Sequence, residues 1–398
     1  MKKPASFVMA GGGTGGHVIP AMAVAREWLR RGAAEESGTG RANGLPSRAD
    51  GSPSRQVVIV GTKAGLEARL VPQAGLPLET IRAAGLKGMG GAKLLRNAAM
   101  LIPGLLDSER ILQHHQFAAA LGVGGYASGP MMLLAVMHSI PTVVFEPNVE
   151  PGFTNRILAD MATRVAVGFE AALGRWGRKA VVTGCPVRAE FFRAPDSAPC
   201  APFRLLITGG SRGALPINRA VVDAMETLAA KKNQLLIVHQ TGERDYNAVR
   251  TAYARHEFIA EVSPFIENMA EQFAQADLIV CRAGAITTAE VAAAGRAAIF
   301  IPFGAATDAH QLRNAQTMEA AGAARVLPQE ELTGERLTCE IFSLLDHPQK
   351  LVAMAQRART LARPRAVEDI TDLLESVALV PAGSHSARRG AAEMAVRP

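Results

Sequence analysis

The chain has 398 residues, 48% hydrophobic and 20% charged, which is too long for one ordinary core and suits two α/β domains. Lys and Arg outnumber Asp and Glu by 43 to 36, and the net charge of +7 favours acidic partners such as nucleic acid, phosphorylated substrates or an anionic membrane. Aromatic residues make up only 5% and do not interleave with the basic ones, which argues against a nucleic-acid reader.

Lys2 and Lys3 are followed at once by Pro4 and a glycine run, so no signal-peptide core is expected. No apolar run reaches the ~18–20 residues that cross a bilayer, which predicts a cytoplasmic chain that is at most membrane-associated. An apolar run at Ser6–Met9 predicts a first strand. It leads into a glycine turn, Gly11-Gly12-Gly13-Thr14-Gly15-Gly16-His17, and then a helix over Ile19–Arg31 closed by Gly32. Pro20 suits the first turn of that helix. Residues 33–56, rich in Gly, Ser, Arg and Pro, read as a mobile insertion.

Next come a strand at Val57–Gly61, a helix at Leu66–Gln73 and an amphipathic basic segment at Leu86–Arg110. A strand at Ala118–Gly122 opens a second glycine turn, Gly122–Gly129, and strands follow at Thr142–Glu146, Arg164–Val167 and Val181–Gly184. The stretch 191–202 reads as a linker, after which the pattern restarts. Strand Phe203–Thr208 enters a third glycine turn, Gly209–Ala214, and a helix begins at Ala214. Strands at Leu235–Gln240, Leu278–Cys281 and Ala298–Pro302 alternate with helices near Thr287–Ala294 and from Asp308. Short continuous apolar runs between helices indicate parallel strands covered on both faces. The expected architecture is α/β, with two doubly wound Rossmann-like domains facing a cleft. The tail 381–398 is expected to be disordered. The four cysteines, Cys185, Cys200, Cys281 and Cys339, form no CxxC pair and read as free buried thiols in a reducing compartment.

The glycine turns carry the chemistry. A glycine turn that opens a helix lets backbone N–H groups approach an anion, and the helix N-terminus adds roughly half a positive charge. The first turn matches G-x-G-x-x-G, yet no carboxylate ends the second strand at Gly61-Thr62 to hold a ribose hydroxyl, which disfavours a nicotinamide cofactor. His17 is open to two readings, a general base or donor at a bound anion, or a helix cap. By spacing alone Glu290 is a helix-dipole carboxylate, Asp308–Asn314 an N-capped helix start, and Leu86–Arg110 a helix packed on its own domain.

The motifs Gly12-Gly13-Thr14-Gly15-Gly16-His17 with Pro20, Gly124-Gly125-Tyr126-Ala127-Ser128-Gly129-Pro130, Glu146 with Asn148, Pro186-Val187-Arg188, Gly209-Gly210-Ser211, and Arg282 through Glu290 together resemble the MurG family of peptidoglycan N-acetylglucosaminyltransferases. The resemblance runs from about Phe7 to Leu379. It implies an inverting GT-B-type glycosyltransferase that needs neither metal nor cofactor and converts lipid I to lipid II. Residues 1–187 would bind the acceptor, 188–362 would bind UDP-N-acetylglucosamine, and a helix within 363–380 would return to the first domain. His17 would be the base or would orient the acceptor. Thr14, Gly15, Gly16, Asn148, Arg188, Ser211, Arg282, Ala285, Ile286, Thr287, Glu290, His310, Gln311 and Asn314 would contact the donor, with Glu290 on the ribose. Gly12, Gly13, Gly124, Gly125, Tyr126 and Ser128 would hold the lipid diphosphate. Leu86, Lys87, Lys93, Leu94, Leu95 and Arg96 would face the anionic inner leaflet.

The family often has His-Glu-Gln-Asn where this chain has Phe145-Glu146-Pro147-Asn148. Arg212, Ala283 and His310 replace a usual Gln, Ser and Gln. A UDP-sugar 2-epimerase or glycolipid glycosyltransferase of the same architecture, and a non-catalytic cell-wall scaffold, are the alternatives.

Overall fold

A computed structural model describes residues 5–13, 15–36, 55–83, 101–195, 202–304 and 310–379. The chain divides into two compact units. Unit 1 holds residues up to Pro147, Pro151–Pro186 and the chain from Arg365 on; unit 2 holds Asn148–Glu150 and Val187–Pro364.

Unit 1 is a seven-stranded parallel sheet in the order β3-β2-β1-β4-β5-β6-β7. Its strands are β1 (Ala5–Ala10), β2 (Arg55–Gly61), β3 (Leu78–Thr80), β4 (Phe117–Gly122), β5 (Thr142–Glu146), β6 (Arg164–Val167) and β7 (Ala180–Val182). The apolar runs of β1, β4 and β5 form its centre because helices cover both faces. Phe7, Met9, Leu121, Val143 and Val144 are fully buried there. The helices are α1 (Gly15–Glu36), α2 (Glu67–Gln73), α3 (Leu101–His114), α4 (Ser128–Met137), α5 (Phe153–Met161) and the single turn α6 (Leu173–Trp176). Unit 2 repeats the pattern with six parallel strands, β8 (Phe203–Thr208), β9 (Leu235–Gln240), β10 (Ala260–Ser263), β11 (Leu278–Cys281), β12 (Ala297–Phe300) and β13 (Arg325–Val326), in the order β10-β9-β8-β11-β12-β13. Its helices are α7 (Leu215–Leu228), α8 (Tyr246–Arg255), α9 (Met269–Gln275), α10 (Ala285–Ala294), α11 (His310–Ala320), α12 (Gly334–Leu345) and α13 (Pro348–Thr360). The chain ends its described part in α14 (Ala366–Ala378), which packs on α1 in unit 1.

Several expectations change. Helix α1 runs through Gly32 to Glu36, and Gly32 makes room for Arg55, whose Cβ lies 3.0 Å from where a side chain at Gly32 would start. At its other end α1 begins at Gly15 rather than Ile19, so Pro20 sits inside the helix rather than in its first turn. The insertion is shorter than 33–56, since Arg55 and Gln56 belong to β2; residues 37–54 lie outside the described residues, as does the tail 381–398. Arg55 is only 2% exposed, with its guanidinium over the Trp28 ring at 4.0 Å and an ion pair to Glu375 at 2.6 Å. The stretch expected as a linker begins with a core residue: Phe191 is fully buried, edge-on to Phe273 at 5.2 Å. Cys185 and Cys281 are buried thiols, but Cys339 is exposed.

Candidate functional site

The first and second glycine turns of unit 1 form one structure. Gly124 and Gly125 have φ of +91° and +82°, which glycine adopts without strain. A side chain at Gly125 would start 2.2 Å from the Gly12 carbonyl, and one at Gly11 would start 2.1 Å from Val123. The two backbones meet with no space for a methyl group. Ser128 locks the pair: its hydroxyl donates to the Ala10 carbonyl at 2.5 Å and accepts from the Gly124 N–H at 3.1 Å. Ser128 is fully buried, so its hydroxyl holds the turns together instead of reaching a diphosphate, a correction to its expected role. Tyr126, beside it, is 53% exposed.

His17 stands over this junction from α1, next to Gly15 and Gly16. A Cβ on Gly124 would lie 2.9 Å from the His17 ring and 3.4 Å from Asn155 Nδ2, so the missing side chain is what admits both groups. Burial pushes the imidazole below its usual value, while a hydrogen bond with the Gly12 backbone and the negative charge of Glu67 act against that shift. Asn155 donates to the Phe145 carbonyl at 3.0 Å and to Glu146 Oε2 at 2.9 Å; its buried Oδ1 has no hydrogen-bond partner among the described residues. Sequence reasoning missed Asn155, although it lies only nine residues after Glu146 along the chain.

Glu67 was missed as well. The sequence places no carboxylate at the end of β2, but the fold brings one there from α2. Glu67 is fully buried. Oε1 accepts from the Thr62 N–H and Thr62 hydroxyl, each at 2.8 Å, and Oε2 accepts from the Gly13 N–H at 2.9 Å. Gly13 was expected to offer that N–H to the lipid diphosphate. It is turned inward because a buried carboxylate must be satisfied by donors.

In unit 2 the third turn closes around Gly210 and Gly213, with φ of +88° and +71°. Thr208 Oγ1 accepts from the Gly210 N–H at 3.1 Å, and Gln240 donates to the Gly210 carbonyl at 2.9 Å. Ser211 and Arg212 are exposed at its tip, and α7 starts at Leu215. Helix α10 starts at Ala285 with Gly284 as a cap that offers no side chain, so among the described residues the first-turn N–H groups of Ala285, Ile286 and Thr287 have no side-chain cap. One turn further on, burial lifts the Glu290 carboxyl to about 7 and the exposed Arg188 guanidinium pulls it back.

Other donor candidates are engaged within unit 2. Arg282 donates to the carbonyls of Ile301 and Pro302 at 3.0 and 3.1 Å and to Gln329 at 2.7 Å, bracing that loop from beneath. Asn314 is fully buried; it donates to Asn148 Oδ1 at 3.1 Å and to the Ala283 carbonyl at 3.2 Å, and accepts from the Val149 N–H at 3.0 Å. It thereby seats residues 148–150 in unit 2. Gln311 accepts from the Phe303 N–H at 3.0 Å, beside His310. Thr14, Asp308 and Leu86, Lys87, Lys93, Leu94, Leu95 and Arg96 lie outside the described residues.

Residues 54–167 match the glycosyltransferase family 28 N-terminal domain and residues 204–370 its C-terminal domain. Two Rossmann-like domains bearing these two halves define a glycosyltransferase of GT-B type. The UDP-N-acetylglucosamine--N-acetylmuramyl-(pentapeptide) pyrophosphoryl-undecaprenol N-acetylglucosamine transferase of Geotalea uraniireducens is 41% identical over 372 residues, 92% of this chain and 96% of that protein. Its namesake from an Anaeromyxobacter species is 40% identical over 396 residues, 98% of each chain. The crystal structure of Acinetobacter baumannii MurG, 31% identical, aligns with a TM-score of 0.73 over 94% of this chain and 100% of that one. The chain belongs to the MurG family.

Proposed function

We propose that this protein transfers N-acetylglucosamine from UDP-N-acetylglucosamine to the 4-hydroxyl of the muramoyl residue of lipid I, giving lipid II. The observation that carries the reading is the end-to-end match at about 40% identity to transferases of that name. The acceptor oxygen forms a bond to the anomeric carbon as the bond from that carbon to the diphosphate breaks, and the electron pair leaves with UDP. Attack from the face opposite UDP inverts the centre. His17 takes the hydroxyl proton, a role suited to an imidazole kept neutral by burial.

In unit 2, the carboxylate of Glu290 accepts from the ribose hydroxyls. Arg188, Ser211 and the N-terminus of α10 face the nucleotide, where their charge and dipoles stabilise the departing diphosphate. Arg282 and Asn314 support these groups. In unit 1, the second turn with Gly124, Gly125 and Tyr126 faces the lipid diphosphate.

We extend the same reading to location, with the protein held peripherally on the cytoplasmic face of the membrane. Among the described residues no helix is long and apolar enough to cross a bilayer. Helices α3 and α4 expose Ile102, Leu106 and Met137 at 67%, 55% and 69%, apolar side chains suited to a lipid surface.

The test is purified protein with radiolabelled UDP-N-acetylglucosamine and a lipid I analogue. Label is expected in the lipid. UDP release without lipid product, or no turnover, would overturn the reading. His17→Ala should lower kcat by roughly 10²–10⁴.

A further inference from the structure

The carboxylate of Glu67 lies in a cage that only glycines permit. A Cβ on Gly12 or Gly65 would start 2.1 Å from its oxygens, and one on Gly61 would start 2.3 Å from its Cγ. Three donors hold it, all at 2.9 Å or less: the N–H groups of Gly13 and Thr62 and the Thr62 hydroxyl. The cage lies under the first glycine turn, directly before the helix that carries His17. An anion in that place opposes a second anion above it, because like charges at short range disfavour one another in a dry site. It favours a cation instead, and the imidazolium formed when His17 accepts a proton is such a cation.

We infer that Glu67 is a positioning residue for the transfer reaction. It fixes the first turn through the Gly13 N–H and serves as the buried counter-anion of His17 when the acceptor hydroxyl is deprotonated. The inference rests on the proposed role of His17 as base. Glu67 touches neither substrate and acts through the turn and the ring. Its charge raises the proton affinity of His17 against the effect of burial. Among the described groups beside the ring, the Gly12 backbone, Gly124 and Asn155 are uncharged, and Glu146 is bonded to the Asn155 Nδ2.

Glu67→Gln keeps the shape, removes the charge and turns one donor towards another. In the full-length variant, kcat is expected to fall about tenfold or more. The acid limb of the kcat/KM profile should move to lower pH, and the His17 pKa followed by imidazole NMR should drop on the order of one unit. Loss of rate with an unmoved His17 titration would make Glu67 merely structural and overturn the inference; so would an unchanged kcat. If Glu67→Gln does not fold, Glu67→Asp retracts the charge by one methylene and should give a smaller drop in the same titration; no drop overturns the inference. His17→Ala, assayed in parallel, separates the two levels. Full turnover in that variant removes the base role itself, whereas a dead His17→Ala with a normal Glu67→Gln removes only the inference about Glu67.

Discussion

Burial lifts the Glu290 carboxyl to about 7, so at neutral pH the unliganded protein holds a sizeable fraction of it protonated. Accepting from two ribose hydroxyls, as proposed, favours the ionised form. Binding of UDP-N-acetylglucosamine near pH 7 should therefore release part of a proton, measurable by calorimetry in buffers of different ionisation enthalpy. Glu290→Gln should abolish the release and weaken donor binding about 10- to 100-fold, the range for hydrogen bonds to a charged group. Gly125→Ala should be more damaging than its size suggests. The added methyl meets the Gly12 carbonyl at 2.2 Å and the position has φ +82°, so the variant should lose turnover and melt earlier. His17 stood out in the sequence by residue type and motif position, whereas Ser211 and Glu290 were singled out by the family resemblance. Glu67 and Asn155 did not, and Ser128 was given a different role, because what these residues do depends on which strands lie side by side. Ser128 meets Ala10 only because β1 pairs with β4, and Glu67 meets Gly13 only because β1 pairs with β2.

At the scale of elements, α14 is fastened to α1 and β2 by charge as well as packing. Arg31 pairs with Asp372 at 2.6 Å and with Glu375 at 3.1 Å, while Glu375 also holds Arg55. Arg55 and Glu375 are 2% and 6% exposed, so removing the carboxylate takes a close counter-ion from a buried guanidinium. Glu375→Ala should cost about 3–5 kcal/mol in urea unfolding and speed hydrogen exchange across α14. The central strands were legible as apolar runs: β5, β6, β8, β9 and β11 lie where the sequence predicts them. The strands β3, β10 and β13 were not. They are two to four residues long, lie at or next to sheet edges and carry half-exposed residues such as Leu78, Glu79 and Ala260. Too short to show alternation and too exposed to form an apolar run, they take their conformation from the neighbouring strand.

At the scale of the whole molecule, repetition of a parallel-sheet pattern made two Rossmann-like domains legible, and the family resemblance placed the chemistry on them. The return of α14 to unit 1 came from the resemblance alone, since no periodicity tells a helix which sheet it joins. Stability has a pH dependence readable in the core of unit 2. His239 is fully buried between Asn218 at 3.1 Å and Tyr253 at 3.2 Å, and burial pushes it from 6.5 down to about 3. The unfolded chain takes up this proton first. The stabilisation is complete above about pH 6.5 and is lost as pH falls towards 3, up to ~4–5 kcal/mol. Urea midpoints should fall over that window, and less steeply in His239→Gln. The net charge of +7 has its own consequence: binding to anionic vesicles should weaken as salt is raised, and neutral vesicles should bind poorly.

The glycine cage around Glu67 also has a consequence for inheritance. Gly12, Gly61 and Gly65 adopt backbone conformations open to other residues, and what excludes a side chain at each is the Glu67 side chain itself. The four positions therefore form one epistatic group. Alanine at any of the three glycines should displace the Glu67 side chain and destabilise the fold while Glu67 is present, and be milder once Glu67 is shortened to alanine. Paired-substitution libraries should show this as strong positive non-additivity confined to these sites. A lineage that lost the glutamate would then be free to let the glycines drift.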